Sequence, residues 1–154
     1  MSGRTLPRGL YGLDDLRPGD WWETSAREIT AAMIDHFADL SGDRFAIHMD
    51  DAAARAHGFR GRVAHGLLVL SVIDGLKNAA PVQVAAIASL GWDWQFRKPV
   101  FIGDDLPARI TVCDLRETSN PARGIVTLDF AVSRKDGTLV QRGKNQLMAY
   151  RQTT

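Results

Sequence analysis

Residues 66–76 read Gly-Leu-Leu-Val-Leu-Ser-Val-Ile-Asp-Gly-Leu, a helix-length run that is apolar nearly all the way round. A surface helix keeps a polar face, and this run has too little of one. It also falls well short of the roughly 20 residues that a bilayer span requires. The run therefore predicts a helix buried by protein on most sides, and the rest of the chain must supply the walls. Those walls are strands. Val84 to Arg97 sets Trp92, Trp94 and Phe96 on one face, alternating with Asp93, Gln95 and Arg97. That aromatic face is read as packing on the helix, with a pocket wall as the alternative. Pro99 and Gly103-Asp104 turn the chain into a strand from about Leu106 to Arg116. Ile125 to Ser133 follows, with Val126, Leu128, Phe130 and Val132 on one face, and Asp136-Gly137 turns it back into Thr138 to Tyr150.

At 154 residues there is room for one domain with a sizeable core. Residues 1–20, with arginine, proline and glycine but little periodicity, read as an N-terminal arm, and residues 21–154 as the domain, opening with a strand near Trp21 to Thr24. Ser25-Ala26-Arg27-Glu28 has the form of a capping box. A helix after it would bury Ile29, Ala32, Met33, Phe37 and Leu40 and stop at Gly42. The whole is an α+β layout, a curved antiparallel sheet around one central helix. Open strand edges on such a sheet invite pairing, so a homodimer is expected, with further association left open.

A net charge of +1 gives no signal for nucleic acid or an acidic partner. Cys113, the single cysteine, excludes an intramolecular disulfide and reads as a small buried hydrophobe on a strand. The N-terminus has no apolar run of signal-peptide length and no segment is long enough for a membrane, so a cytoplasmic protein is expected. His36, His48, His57 and His65 lack the spacing of a metal site, and no metal is expected.

Two segments carry chemistry. Leu40-Ser41-Gly42-Asp43-Arg44-Phe45-Ala46-Ile47-His48 puts a carboxylate and an imidazole five residues apart, on a loop beyond a helix end. Acid/base work at carbons next to a carbonyl needs two such groups near one water. Asp50 and Asp51 then start a short helix that Gly58 ends. In the second segment, Ala64-His65-Gly66 opens the apolar helix on a glycine, whose N–H can meet the charge that builds on a thioester oxygen. His65 either contacts substrate or caps this helix. Ser71, inside the helix, is expected to bond back to a carbonyl.

These residues resemble the MaoC-like dehydratases, the (R)-specific enoyl-CoA hydratases. Phe37 through Asp43 to His48 is similar to that family's motif, aromatic, apolar, Ser/Thr-Gly-Asp-x-Asn-Pro-apolar-His, with Ala54 at its later small position. Arg62-Val-Ala-His65-Gly66 resembles its Ala-His-Gly helix start, and Pro99-Val-Phe-Ile-Gly103-Asp104 its Pro-Val-x-x-Gly-Asp turn. The resemblance covers about residues 25 to 150 and implies a hotdog-fold dimer acting on an acyl-CoA thioester. By it, Asp43 and His48 are the catalytic pair and Gly66 the oxyanion donor. No cofactor is implied beyond the coenzyme A of the substrate. Phe45-Ala46 stands where the family has Asn-Pro, which removes a constraint on the loop and makes Phe45 a candidate to narrow the acyl site. Arg60, Arg62, Arg97 and Lys98 are candidates for the coenzyme A phosphates. The expected reaction is hydration of a 2-enoyl-CoA, reversible as dehydration of a 3-hydroxyacyl-CoA. The rivals are a thioesterase, which would draw on Asp74 of the central helix, and a non-catalytic acyl-binding subunit.

Overall fold

The computed structural model describes residues 3–153. In chain order the elements are β1 (Gly9–Tyr11), β2 (Trp21–Glu23), β3 (Arg27–Glu28), α1 (Ala31–Ser41), α2 (Ala46–Met49), α3 (Asp51–Ala56) and α4 (Gly66–Ala79). Then come β4 (Val82–Val84), β5 (Ala86–Phe96), β6 (Asp105–Leu106), β7 (Ala108–Glu117), β8 (Arg123–Ser133) and β9 (Leu139–Tyr150). The main sheet is antiparallel in the order β2-β7-β8-β9-β5. Its inner face is the alternating set read from sequence: Val126, Leu128, Phe130 and Val132 are all fully buried. They share one core with Leu68, Val69, Ile73 and Leu76 of α4, so the central helix lies against the sheet as expected. Gly137, at φ +89, makes the β8–β9 turn that Asp136-Gly137 predicted, with the Asp136 carboxylate accepting from the Thr138 N–H at 2.9 Å.

Burial of α4 is incomplete. Leu67 is 60% exposed, and Ser71 and Gly75, one and two turns further on, are exposed with it. Beside this stripe, β5 is an edge strand exposing Ile87, Leu90 and Phe96. Among the described residues nothing covers either feature. No helix of the described residues is long and apolar enough to cross a membrane.

Four expectations need correction. The capping box at Ser25 does not form, because Arg27–Glu28 pairs with β6 as a strand. The cap of α1 is Thr30, whose hydroxyl accepts from the Met33 N–H at 3.2 Å. That later start turns the helix, so Ile34 and Ala38 are its buried residues while Leu40 is 83% exposed. Ile29 is buried, but in the extended lead-in to the helix. Cys113 is exposed, because the β7–β8 register skips it between Val112 and Asp114, and such a bulge leaves its extra residue unpaired. His48 lies on the short helix α2 and not on a loop. The first segment is stitched to the domain: β1 pairs in parallel with β4, and Leu6, Leu13 and Leu16 enter the common core. Irregularly spaced anchors of that kind leave no period in a sequence.

Candidate active site

The end of α1 sets the position of Asp43. Gly42 takes the left-handed conformation, φ 77, that a helix stop of this kind needs, and its N–H closes on the Ala38 carbonyl at 2.8 Å. Ser41 Oγ donates to the Phe37 carbonyl at 2.7 Å and accepts from the Asp43 N–H at 3.1 Å. Asp43 Oδ1 then accepts from the Phe45 N–H at 3.2 Å, a side-chain turn that orders the loop without a proline. Ala46 occupies the first position of α2, where proline is merely favoured. Phe45, 61% exposed, stands edge-on to the His48 ring at 6.1 Å.

The fold also fixes the protons of His48. Its Nδ1 lies 2.7 Å from the Val63 carbonyl, which can only accept, so Nδ1 carries the proton. Nε2 is left with its lone pair, 4.0 Å from Asp43 Oδ2. Burial holds the His48 pKa below its ordinary 6.5, and His65 beneath it adds to the effect. The Val63 hydrogen bond and the Asp43 charge oppose it without reversing the direction.

His65 does not cap α4 with its side chain. It is 2% exposed and stacks on His48 with ring centres 4.0 Å apart, and Phe37 closes its other side at 4.9 Å. Its Nε2–H donates to the Asp43 carbonyl oxygen at 2.8 Å, so one side chain contacts both Asp43 and His48. Its Nδ1 is buried and has no partner among the described residues. The donor atoms of Asp43, His48 and His65 lie within 4.8 Å of one another. The two rings are nearly parallel, at 28°.

The Gly66 N–H begins α4 and makes no hydrogen bond among the described residues. It borders a cavity of about 310 Å³ with His48, Phe96, Arg97, Lys98 and Gln141 in the wall. A side chain at residue 66 would collide with the Phe96 ring, since an added Cβ falls 2.4 Å from it. Phe96 is thus a pocket wall, whereas Trp92 and Trp94 pack on Phe130 at 5.3 and 5.8 Å. Arg97 and Lys98 are exposed at the pocket and pair with no carboxylate among the described residues. Arg60 pairs with Asp104 at 3.4 Å, over the ring of Phe101.

Arg62, a candidate ligand of the coenzyme A phosphates, makes its contacts within the chain. Its Nε donates to the His48 carbonyl at 2.6 Å and its Nη2 to Asp35 at 2.5 Å, and its side chain is 14% exposed. The guanidinium braces α1 to α2 through Nε and Nη2. Gln141 was not singled out from sequence. It is 2% exposed, accepts from Trp94 Nε1 at 2.7 Å and donates to the Gly66 carbonyl at 3.3 Å. The signal was available: Gln141, Gly143, Asn145, Leu147 and Ala149 alternate on one face of β9, with two amides in an otherwise apolar or small stripe. Asp74, the carboxylate a hydrolase would draw on, pairs with Lys77 at 2.7 Å, in a cavity that shares no lining residue with that of His48.

Residues 17–133 match the model of the MaoC like domain. The chain is 32% identical over 119 residues to the (R)-specific enoyl-CoA hydratase of Aeromonas caviae, covering 77% of this chain and 85% of that protein. It is 40% identical over 99 residues to Protein MaoC of Klebsiella aerogenes, but these make 64% of this chain and only 29% of that longer protein. Among solved structures, the MaoC-like dehydratase of Rhodospirillum rubrum superposes with a TM-score of 0.85 at 27% identity, covering 94% of this chain and 99% of that one. The (R)-hydratase of A. caviae superposes with a TM-score of 0.70 at 30% identity, covering 86% and 96%. The architecture of one helix against a curved antiparallel sheet is the hotdog fold that the sequence led us to expect.

Proposed function

The chain belongs to the MaoC-like domain family, and from that premise we propose that it is a hydro-lyase, adding water reversibly to a 2-enoyl-CoA or removing it from a 3-hydroxyacyl-CoA. The observation that carries this reading is the pair formed by the His48 Nε2 lone pair and Asp43 Oδ2, 4.0 Å apart, beside a pocket that also presents the Gly66 N–H. A water about 2.8 Å from both groups spans that gap.

In the hydration direction His48 Nε2 takes a proton from this water as its oxygen bonds to the β-carbon. The Asp43 carboxylate orients the water and faces the imidazolium that forms. The electron pair of the double bond moves toward the thioester, and its carbonyl oxygen gains charge opposite the Gly66 N–H and the dipole of α4. The imidazolium then returns its proton to the α-carbon. The sum is one water added, and His48 ends as it began. Arg97 and Lys98, the free cations at the pocket, meet the coenzyme A phosphates.

The working unit is a homodimer. An eleven-residue edge strand with exposed Ile87, Leu90 and Phe96, beside an open helix stripe with Leu67, is an edge that soluble proteins cover. A second copy laid on the same features covers both at once.

The test is loss of enoyl-thioester absorbance when crotonyl-CoA and longer 2-enoyl-CoAs meet the protein and its His48→Ala and Asp43→Asn variants. Turnover should fall by roughly 10² to 10⁴ in each variant. Free thiol without hydration would instead identify a thioesterase. Binding without either reaction would identify an acyl-binding subunit.

A further inference from the structure

The second cavity lies at the other end of α4. It encloses about 160 Å³ between Asp74 and Lys77 of α4, Ala86 to Ser89 of β5, and Trp22 of the sheet. Its polar groups are unusual for a core. Trp22 is 3% exposed, yet its indole Nε1–H has no partner among the described residues. An unpaired buried donor is costly, so something that accepts a hydrogen bond belongs beside it. Lys77 Nζ donates to Asn145 Oδ1 at 3.2 Å and lies 2.7 Å from Asp74 Oδ1 as an ion pair, while that carboxylate oxygen, like the indole N–H, has no hydrogen-bond partner among the described residues. Ser89 Oγ accepts from Asn145 Nδ2 at 2.9 Å and keeps its own proton to give. Because Lys77 and Asp74 offset each other's charge, the cavity carries no large net charge, and it offers the donors of Trp22, Lys77 and Ser89 beside one acceptor, Asp74 Oδ1.

Within one copy this cavity is remote from the chemistry. Gly66, at the start of α4, touches Phe96 at the end of β5, while the later turns of α4 face the start of β5. Helix and strand therefore run in opposite directions side by side. When a strand pairs with its own copy about a two-fold axis, it pairs antiparallel. Pairing along all of Ala86–Phe96 centres on Gly91 and sets Phe96 of one copy beside the start of the other copy's strand. The catalytic pocket of each copy then opens toward the second cavity of the other.

We propose that the acyl group runs from the His48 pocket of one copy into this cavity of its partner, and that the cavity selects acyl chains carrying an acceptor oxygen, hydroxyl or carboxylate, at the far end. This rests on the hydratase reading and on the dimer. The partner's Trp22 donates to that oxygen, with the partner's Lys77 and the partner's Ser89 as further donors. A methyl end leaves the Trp22 donor unpaired.

The experiment measures kcat/KM for chain-length series of 2-enoyl-CoAs ending in methyl, hydroxyl or carboxylate, on wild type, Trp22→Phe and Ser89→Ala. Wild type should prefer an oxygen-ended substrate over its methyl counterpart by about tenfold at one chain length, the worth of one or two hydrogen bonds. The hydroxyl and carboxylate series show which oxygen it is. Trp22→Phe keeps the ring and removes the donor, and should bring the ratio close to one. Because the ratio is taken within one preparation, partial unfolding of a variant does not alter it. Equal rates on the three ends, or an unchanged ratio in both variants, overturns the inference while hydration of crotonyl-CoA stands. Absence of turnover on every thioester overturns the hydratase reading and this inference with it.

Discussion

The Nδ1 proton of His48 is committed to the Val63 carbonyl at 2.7 Å, which leaves Nε2 as the only site where its base can act. The proposed hydration needs that nitrogen unprotonated. Because burial lowers its pKa, the active form persists below the ordinary value of 6.5, and is lost only as pH falls through the lowered value. The acidic limb of kcat/KM against pH for crotonyl-CoA hydration should accordingly lie below 6.5. His65→Gln removes a neighbour that pushes the His48 pKa down, so the same limb should move to higher pH. A role for His65 in structure alone would lower the rate without moving the limb.

At the scale of elements, two contacts hold the site together. The start of α4 is pressed against β5, so Gly66→Ala drives a methyl into the Phe96 ring. Phe96 is 56% exposed and can give way, but only by shifting across the pocket. We expect kcat/KM to fall by up to the roughly 10² to 10³ of a misplaced oxyanion donor, and a Gly66→Ala, Phe96→Ala double variant to recover part of it. Steady-state kinetics on the three proteins checks this. Arg62 is the second contact, tying α1 through Asp35 to the His48 carbonyl. Arg62→Met leaves that carbonyl without its donor and should cost roughly 1–3 kcal/mol in urea unfolding, with a lower kcat. A change in KM alone, with stability intact, would instead mark Arg62 as a phosphate ligand.

At the scale of the molecule, the edge of β5 is the decisive surface. Leu90→Lys places a charge in the middle of it, where Leu90 is 48% exposed. Sedimentation should show the variant shifted from dimer toward monomer, with activity falling in parallel. A dimer of unchanged stability would mean that β5 is not the joining edge.

Local pattern determined a good deal of this protein. The length and apolar character of residues 66–76, the alternation on β8 and the Asp136-Gly137 turn are properties of neighbours in the chain, and each appeared in the structure as the sequence led us to expect. The helix end before Asp43 and the helix start at Gly66 were legible for a related reason, since helix ends and glycines announce where a chain turns and exposes its backbone. Tertiary contact decided the rest. The cap at Thr30 and the rotation of α1 follow from β3 pairing with β6, a partner nearly 80 residues away. Cys113 is exposed because of a register skip that two strands make together. His65 supports Asp43 across 22 residues, and Gln141 reaches Gly66 across 75. A single sequence carries periodicity and turn chemistry, but which distant polar groups meet is settled only when the core closes and each buried donor must find an acceptor.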